Sequence, residues 1–377
     1  MKRVLITGGA GFIGSNLVQS LHREGHTITV LDNLSEQVHS ADPETSVLYQ
    51  SIKGKVSFVR GSVEVKEDLL KVLPGQDVVV HYAAETGTGQ SMYEVDRYVS
   101  ANIGATGLLL DLLGNLKHDV KRMVIASSRS IYGEGKYLRS DGSAVYPKHR
   151  SQADLEAGVF EVLDPDTRGP LRLVATDEDS KIHPSSVYGI TKQVQEQLVM
   201  TVCPLLGIEP VALRYQNVYG PGQSLVNPYT GILSIFSNLI MNGKAINIFE
   251  DGLESRDFVF IDDVVQATML AIAHPNAGHG IYNVGSGMPT DVQTVAGKLM
   301  ECFGREVPVR VSGNFRLGDI RHNFADLGRI NHRLGFVPTV SFADGIARFV
   351  AWAKSLGPKE SRYEQSLAEM KQRGLMK

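Results

Sequence analysis

Residues 3–7, Arg-Val-Leu-Ile-Thr, run directly into Gly8-Gly9-Ala10-Gly11-Phe12-Ile13-Gly14, and a helical pattern over 12–24 follows. An apolar strand that turns through three spaced glycines into a helix is compatible with few folds. Gly8, Gly11 and Gly14 leave room for a tight turn, for close approach of the backbone to a phosphate, and for helix–strand packing. The helix start at Phe12 and Ile13 offers unpaired N–H groups to a pyrophosphate. A glycine triplet is a weak signal by itself. Here a second strand, 27–31, runs into Asp32 and Asn33, where a carboxylate accepts hydrogen bonds from ribose hydroxyls and repels a 2′-phosphate. That position disfavours a simple turn or helix-cap role for Asp32. The expected ligand is a dinucleotide, NAD rather than NADP.

Strand-like runs at 56–60, 78–82, 122–127 and 210–215 alternate with helical patterns at 66–73, 92–116 and 187–206. Continuous apolar strands separated by helices predict an α/β fold: a doubly wound parallel sheet covered on both faces. Ligands then bind beyond the carboxyl ends of the strands. Ser62 and Val63 follow the third strand, and Ala83 and Ala84 stand at the end of the fourth. Small residues suit a backbone lying beside a cofactor, although plain packing explains each alanine as well. Past residue 220 the pattern loosens. Helices are expected at 232–242, 261–274, 291–303 and 342–355, and short strands at 246–249 and 307–311. This predicts a smaller mixed α/β domain. The expected division is 1–133 and 184–219 for the cofactor, completed by parts of 255–285; 134–183 as an insertion; and 220–254 with 286–377 for the substrate.

The chain has 377 residues and a formal net charge of −3, with no basic stripe of the kind that binds nucleic acid. Its two cysteines, Cys203 and Cys302, are far apart. That excludes a disulfide framework and a cysteine zinc site and fits a reducing, cytoplasmic setting. No apolar run is long enough to cross a bilayer, so no membrane partner is expected. A strand is expected right after Met1, so no signal peptide is expected. His81, His183, His279 and His322 lack metal spacing, so core or surface roles and no metal are expected. Met269 reads as packing, and Asp262 and Asp263 as dipole partners at a helix start.

The octamer Ser185-Ser186-Val187-Tyr188-Gly189-Ile190-Thr191-Lys192 places a tyrosine four residues ahead of a lysine. On a helix the two share a face. A free phenol has a pKa near ~10, too high for a base at neutral pH, and a nearby ammonium lowers it. Alone, the octamer is equally consistent with a surface pair. The fifth strand, however, ends in Ser127-Ser128-Arg129-Ser130, in the same crevice. A hydroxyl there can share a substrate proton, so Ser128, Tyr188 and Lys192 converge on the nicotinamide end of the cofactor.

Together "TGGAGFIGSNL", "HYAAETGTGQSM", "SSVYGITK", "RYQNVYGPGQ" and "SRDFVFIDDV" occur in order over nearly the whole chain. They resemble the NAD-dependent sugar-nucleotide epimerase/dehydratase family, the extended short-chain dehydrogenases with a Rossmann-type domain. The resemblance implies Tyr188 as acid/base, Lys192 lowering its pKa and holding the nicotinamide ribose, and Ser128 as hydroxyl partner. It implies that Asn217, Arg256 and Arg316 meet the diphosphate of a nucleotide-diphosphosugar, and Asp319 the nucleoside ribose. Thr86, Arg129 and Ser130 fall on the substrate side, and Asn102 supports the cofactor site. Ser62 stands where the family often has an acid contacting adenine. A homodimer through 92–116 and 187–206 is also implied.

Dehydratases of this family resemble "SSRSIYG" but carry Thr-Asp-Glu where this chain has Ser128, Arg129 and Ser130. Arg129 is always charged and cannot take a proton from carbon. A 4,6-dehydration is therefore disfavoured against hydride chemistry with one acid/base. Tyr132 and Tyr188 lie 56 positions apart, longer than in common galactose epimerases. That insert, with "AAETGTGQSMYE" and "GDIRH", resembles the dTDP-L-rhamnose 4-epimerases. Such inserts often carry cysteine pairs; here Asp164-Pro165-Asp166 stands instead, which puts the shape of the insert in question. It reads as a surface loop or as a lid or dimer element. A UDP-sugar 4-epimerase is the main alternative activity. A non-catalytic NAD-sensing protein is the alternative from another class, against which Ser128, Tyr188 and Lys192 all stand.

Overall fold

The computed structural model describes residues 1–225, 227, 231–359 and 363–374. Seven parallel strands form the main sheet: β1 (Arg3–Thr7), β2 (Thr27–Asp32), β3 (Ser57–Arg60), β4 (Val78–His81), β5 (Arg122–Ser128), Glu209–Tyr215 and Gly280–Val284. From one edge the order is Gly280–Val284, Glu209–Tyr215, β5, β4, β1, β2, β3. The chain winds outward from β1 to β3, then crosses to the other side of β1 to lay down β4. Such a reversal opens a crevice at the carboxyl ends of β1 and β4, where ligands bind.

Period-2 alternation divides the strand side chains between two cores. Val4 and Ile6 join one apolar cluster, with Leu17, Val18 and Leu21 of α1 (Phe12–Arg23). Leu5 joins the other, with Leu109 and Leu113 of the helix Ala105–Asn115 and Val199 of the helix Val187–Val202. Both faces are covered, as continuous apolar strands demand.

The 92–116 pattern is not one helix. It breaks into Thr88–Ser91, Val95–Tyr98, a widened π segment Val99–Gly104, and Ala105–Asn115. Fully buried Asn102 lies in the π segment; its side chain accepts from Glu85 N–H at 2.8 Å and donates to Glu85 C=O at 3.1 Å. The last turn of 187–206 is a tighter 3₁₀ segment, Cys203–Leu206, with Pro204 in its first turn.

Beyond the sheet, parallel pairing joins Ile246–Ile248 to Val309–Val311 and Asn217–Tyr219 to Ser255–Phe260. The helices Ile232–Met241, Val292–Phe303 and Phe342–Leu356 pack around them through residues such as Phe236, Leu299 and Phe349. The 134–183 stretch folds as a small antiparallel sheet, with Lys136–Leu138 between Ala144–Val145 and Arg172–Val174. Asp164 closes a turn within it, accepting from the N–H groups of Asp166 at 2.8 Å and Thr167 at 3.2 Å and pairing with Arg139. Among the described residues no helix is long and apolar enough to cross a membrane, and no group of side chains has metal-binding composition.

Candidate active site

Two cavities meet over the carboxyl ends of the strands. The larger, about 350 Å³, is lined by Gly8, Gly11, Phe12, Ile13, Gly14, Asp32, Asn33, Ser62, Val63, Ala83, Ala84 and Thr86. At its far end stand Ser128, Tyr188 and Lys192. The smaller, about 100 Å³, is lined by Arg129, Ser130, Arg316 and Asp319, with Met92, Leu317 and Ile320 as apolar walls. Asn102, Asn217 and Arg256 line neither.

The glycine loop is a backbone cradle. Gly8 has φ +70°, and a Cβ there would lie 2.6 Å from the nitrogen of Ala83; one on Gly14 would lie 2.5 Å from Gly8 O. Side chains would push β1, its helix and β4 apart and fill the floor of the cavity. Asp32 is held from below: its carboxylate accepts from Ala10 N and Leu34 N, each at 2.9 Å. Burial pushes its pKa up against those bonds. Buried His39, anchored by Ser46 at 2.8 Å, stands 4.0 Å from the same carboxylate. Ser62 has a local role, its Oγ accepting from Glu64 N at 3.2 Å, while its own N–H goes to Asp68 at 3.0 Å. A tight glycine turn, an acid after β2 and a long cavity fit NAD.

Tyr188 opens its helix. Ser186 caps it through Gly189 N–H at 3.1 Å, and Tyr188 N–H donates to Ser91 Oγ at 3.0 Å. The Tyr98 ring meets the Tyr188 ring edge-on at 6.5 Å, and the Tyr98 hydroxyl donates to Thr86 O at 2.6 Å. Ser130 Oγ donates to Ser128 Oγ at 2.8 Å, so these hydroxyls join the two cavities. Burial raises the Tyr188 pKa, opposed by the hydrogen bond with Ser128 and then by the Arg129 charge. Lys192 lines the same cavity, and its ammonium donates to Gln195 at 3.0 Å. Burial pulls the Lys192 pKa down to about 7.

The smaller cavity is cationic. Arg129 donates to Asn217 Oδ1 at 3.1 Å, which tethers the guanidinium. Burial, and then repulsion from Arg256, lowers Arg129 to about 10. Arg256 is tied to Asp319 at 3.1 Å and to the carbonyls of Ser255, Ile320 and Arg321. Arg316 stacks on Phe249 at 5.0 Å. Burial would raise Asp319, but Arg256, Arg316, Arg150 and Arg129 together hold it below the usual carboxylate range. Arg129 and Arg316 on the cavity lining, with Arg256 and Arg150 also around Asp319, outnumber that carboxylate and suit an anionic ligand.

Sequence reasoning missed the support behind this site. Glu196 forms a buried ion pair with Arg214 at 2.6 Å and accepts from Ser127 Oγ at 2.6 Å, fixing the end of β5 against the Tyr188 helix. The signal was present: Tyr188, Lys192 and Glu196 stand at i, i+4 and i+8. Asn102, expected to support the cofactor site, donates to Thr191 of the Tyr188 helix at 2.9 Å. His81 is a core residue, bonded to Thr7 at 2.7 Å and Thr106 at 3.1 Å. Asp262 pairs with Arg348, and Asp263 accepts from Thr339 and Val340.

The family model described as NAD dependent epimerase/dehydratase family matches residues 4–153 and 159–285. The chain belongs to this family. It is 37% identical over 354 residues to a dTDP-L-rhamnose 4-epimerase of Burkholderia thailandensis, covering 93% of this chain and 94% of the relative. It is 28% identical, with TM-score 0.75, to the UDP-glucose 4-epimerase of Thermotoga maritima solved with UDP-glucose, covering 94% of this chain and 99% of that one. A UDP-glucuronic acid 4-epimerase from Bacillus cereus, solved with UDP-glucuronic acid and NAD, is 25% identical, with TM-score 0.74 and the same coverage. The epimerase/dehydratase family uses NAD, and the chain is an NAD-dependent enzyme of the nucleotide-sugar epimerase type.

Proposed function

We propose that the chain is a nucleotide-sugar 4-epimerase that interconverts dTDP-L-rhamnose and dTDP-6-deoxy-L-talose. The observation that carries the reaction type is the Ser128–Tyr188 pair at the junction of the two cavities, flanked by Arg129 and Ser130 rather than by acids. A dehydratase must remove a proton from carbon and protonate a departing hydroxyl, and neither flanking residue does so. The apolar walls Met92, Leu317 and Ile320 suit a 6-deoxy sugar. Similarity to the Burkholderia relative supports the same substrate. A second reading, a UDP-sugar 4-epimerase, draws on the neighbours solved with UDP-glucose and UDP-glucuronic acid.

The glycine loop, Asp32 and Lys192 would hold NAD, with Ser62, Val63, Ala83 and Ala84 along its length; when bound, NAD supplies a reversible hydride acceptor for C4. Tyr188 takes the proton of the C4 hydroxyl, with Ser128 sharing it. Burial opposes the phenolate, while the hydrogen bond with Ser128 and, after it, the positive charge of Arg129 ease the loss of that proton. Arg256 and Arg316 grip the diphosphate and Asp319 the nucleoside ribose while the 4-keto sugar turns to present its other face. Tyr188 then returns the proton. On this reading residues 1–133, 184–219 and part of 255–285 serve the cofactor, and 220–254 with 286–377 the nucleotide. Exposed Val95, Val99 and Ile190 would meet a second copy in a cytoplasmic homodimer.

The test is an NMR assay of a nucleotide-sugar panel in D₂O, with Tyr188→Phe as control. Wild-type protein should convert dTDP-L-rhamnose without deuterium appearing at C4, and Tyr188→Phe should keep NAD but lose turnover. Full activity in that variant would overturn the mechanism; turnover of UDP-sugars alone would select the second reading.

A further inference from the structure

The segment between the strands Val309–Val311 and His322–Asn323 carries Arg316 and Asp319, and the 134–183 stretch holds it at several points. At the far end, Glu134 accepts from the backbone N–H groups of Arg321 at 2.7 Å and His322 at 2.8 Å. Glu161 accepts from the Arg321 side chain at 2.9 Å. At the middle, Arg150 donates to Asp319 C=O at 3.1 Å. The same guanidinium makes a two-pronged pair with Glu250, at 2.7 and 2.8 Å. Glu250 reaches the near end, where its N–H donates to Asn314 C=O at 2.8 Å and its C=O accepts from Gly313 at 3.2 Å. Arg150 and Glu250 are both buried, their side chains 4% and 6% exposed.

We propose that residues 134–183 form the frame that pre-orders the nucleoside-diphosphate-binding segment 313–322, with Arg150 as its positioning residue. This rests on the nucleotide-sugar reading above. Ordering a loop on binding costs conformational entropy, so a segment already held in place binds more tightly than one that must be ordered. Arg150 does not line the smaller cavity; it acts on ligand affinity through Asp319 and Glu250.

The experiment uses the full chain with Arg150→Met and Arg150→Lys, and the probe is dTDP, measured by calorimetry and as a competitive inhibitor. In Arg150→Met, KM for the nucleotide sugar and Kd for dTDP should each rise about tenfold, with kcat within about twofold, as expected when a charge-assisted hydrogen bond that positions the ligand segment is lost. NAD retention should not change. Arg150→Lys keeps the charge but not the fork and should fall between the two. If Arg150→Met does not fold, half-exposed Glu161→Gln supplies the second perturbation, with the same split between KM and kcat. Unchanged KM and dTDP affinity in a folded variant, or a parallel loss of KM, kcat and NAD, would overturn the frame. Wild-type protein that binds neither dTDP nor UDP would instead overturn the nucleotide-sugar reading beneath it.

Discussion

Lys192 donates through Nζ to Oε1 of Gln195 at 3.0 Å, and Gln195 donates onward to Thr106 at 2.8 Å. This chain holds the ammonium in a buried place that its charge opposes, and burial brings its pKa down to about 7. The unfolded chain keeps the ordinary value of 10.5, so between these two pH values it binds more protons than the folded one. Stability must then rise with pH across that window, and the penalty is largest below pH 7. Lys192→Met removes the penalty at the loss of one hydrogen bond. NAD-stripped Lys192→Met should therefore melt several degrees above NAD-stripped wild type at pH 6, the gap closing toward pH 10, while turnover falls about 10²-fold. Scanning calorimetry across pH checks the first part; a wild-type-like melting curve at pH 6 would count against it.

Gly189 carries the second prediction. A Cβ there would lie 2.7 Å from Ser130 O and 2.9 Å from Pro184 Cβ, a carbonyl and a ring that cannot swing aside. Alanine improves helix propensity by about 1 kcal/mol, but overpacking costs about 1–3 kcal/mol, so the net change is destabilising. The larger effect is on geometry. Pushing the start of the Tyr188 helix off the Ser128–Ser130 loop by about 1 Å should lower kcat about 10²-fold. Urea unfolding and steady-state kinetics on Gly189→Ala read the two effects separately.

The parts of the fold visible in the sequence were those encoded by short spacings. The strand–glycine–helix unit, the acid that closes β2 and the i, i+4 placing of Tyr188 and Lys192 are each written in a few consecutive residues. What escaped depends on distant partners. The 92–116 helix breaks where the Asn102 amide binds Glu85, and no periodicity foretells that. In the strand Gly280–Val284 a buried Asn283, satisfied by Glu178 and Thr176, interrupts the apolar run. The small sheet of 134–183 is built from strands of two or three residues, too short for a period. Arg150 has no local signal at all, since Glu250 is 100 positions away.

A third prediction concerns cofactor retention. Gln37, in the segment after β2, exchanges hydrogen bonds with Gln90 at 3.1 Å and Arg97 at 3.1 Å, both in the segment after β4. Arg97 is anchored to Glu85 and Glu94, each at 2.8 Å. Gln37 and Glu85 both line the larger cavity, so this strap crosses it. An epimerase that must keep its reduced cofactor until the sugar has turned benefits from slow release. Arg97→Ala should raise the NAD off-rate about tenfold, the scale of one charge-assisted hydrogen bond. Cofactor lost on gel filtration, followed by absorbance, would show it; retention equal to wild type would not fit the strap.

The fourth concerns acid stability. Glu161 has its pKa lowered from 4.5 to about 2, first by His322 and then, against the burial that raises it, by Arg321. A carboxylate depressed in the folded state contributes stability that is complete above its unfolded value and disappears as pH falls through the folded one. The window is therefore from about 4.5 down to about 2. Glu161 is 58% exposed in its side chain, so solvent screens the pair and the contribution is modest. Glu161→Gln should flatten the decline in melting temperature between these pH values and leave it unchanged near pH 8 apart from a constant offset. Equal slopes for the two proteins across that acid range would place the charge of Glu161 outside the balance that holds the 134–183 stretch against Arg321.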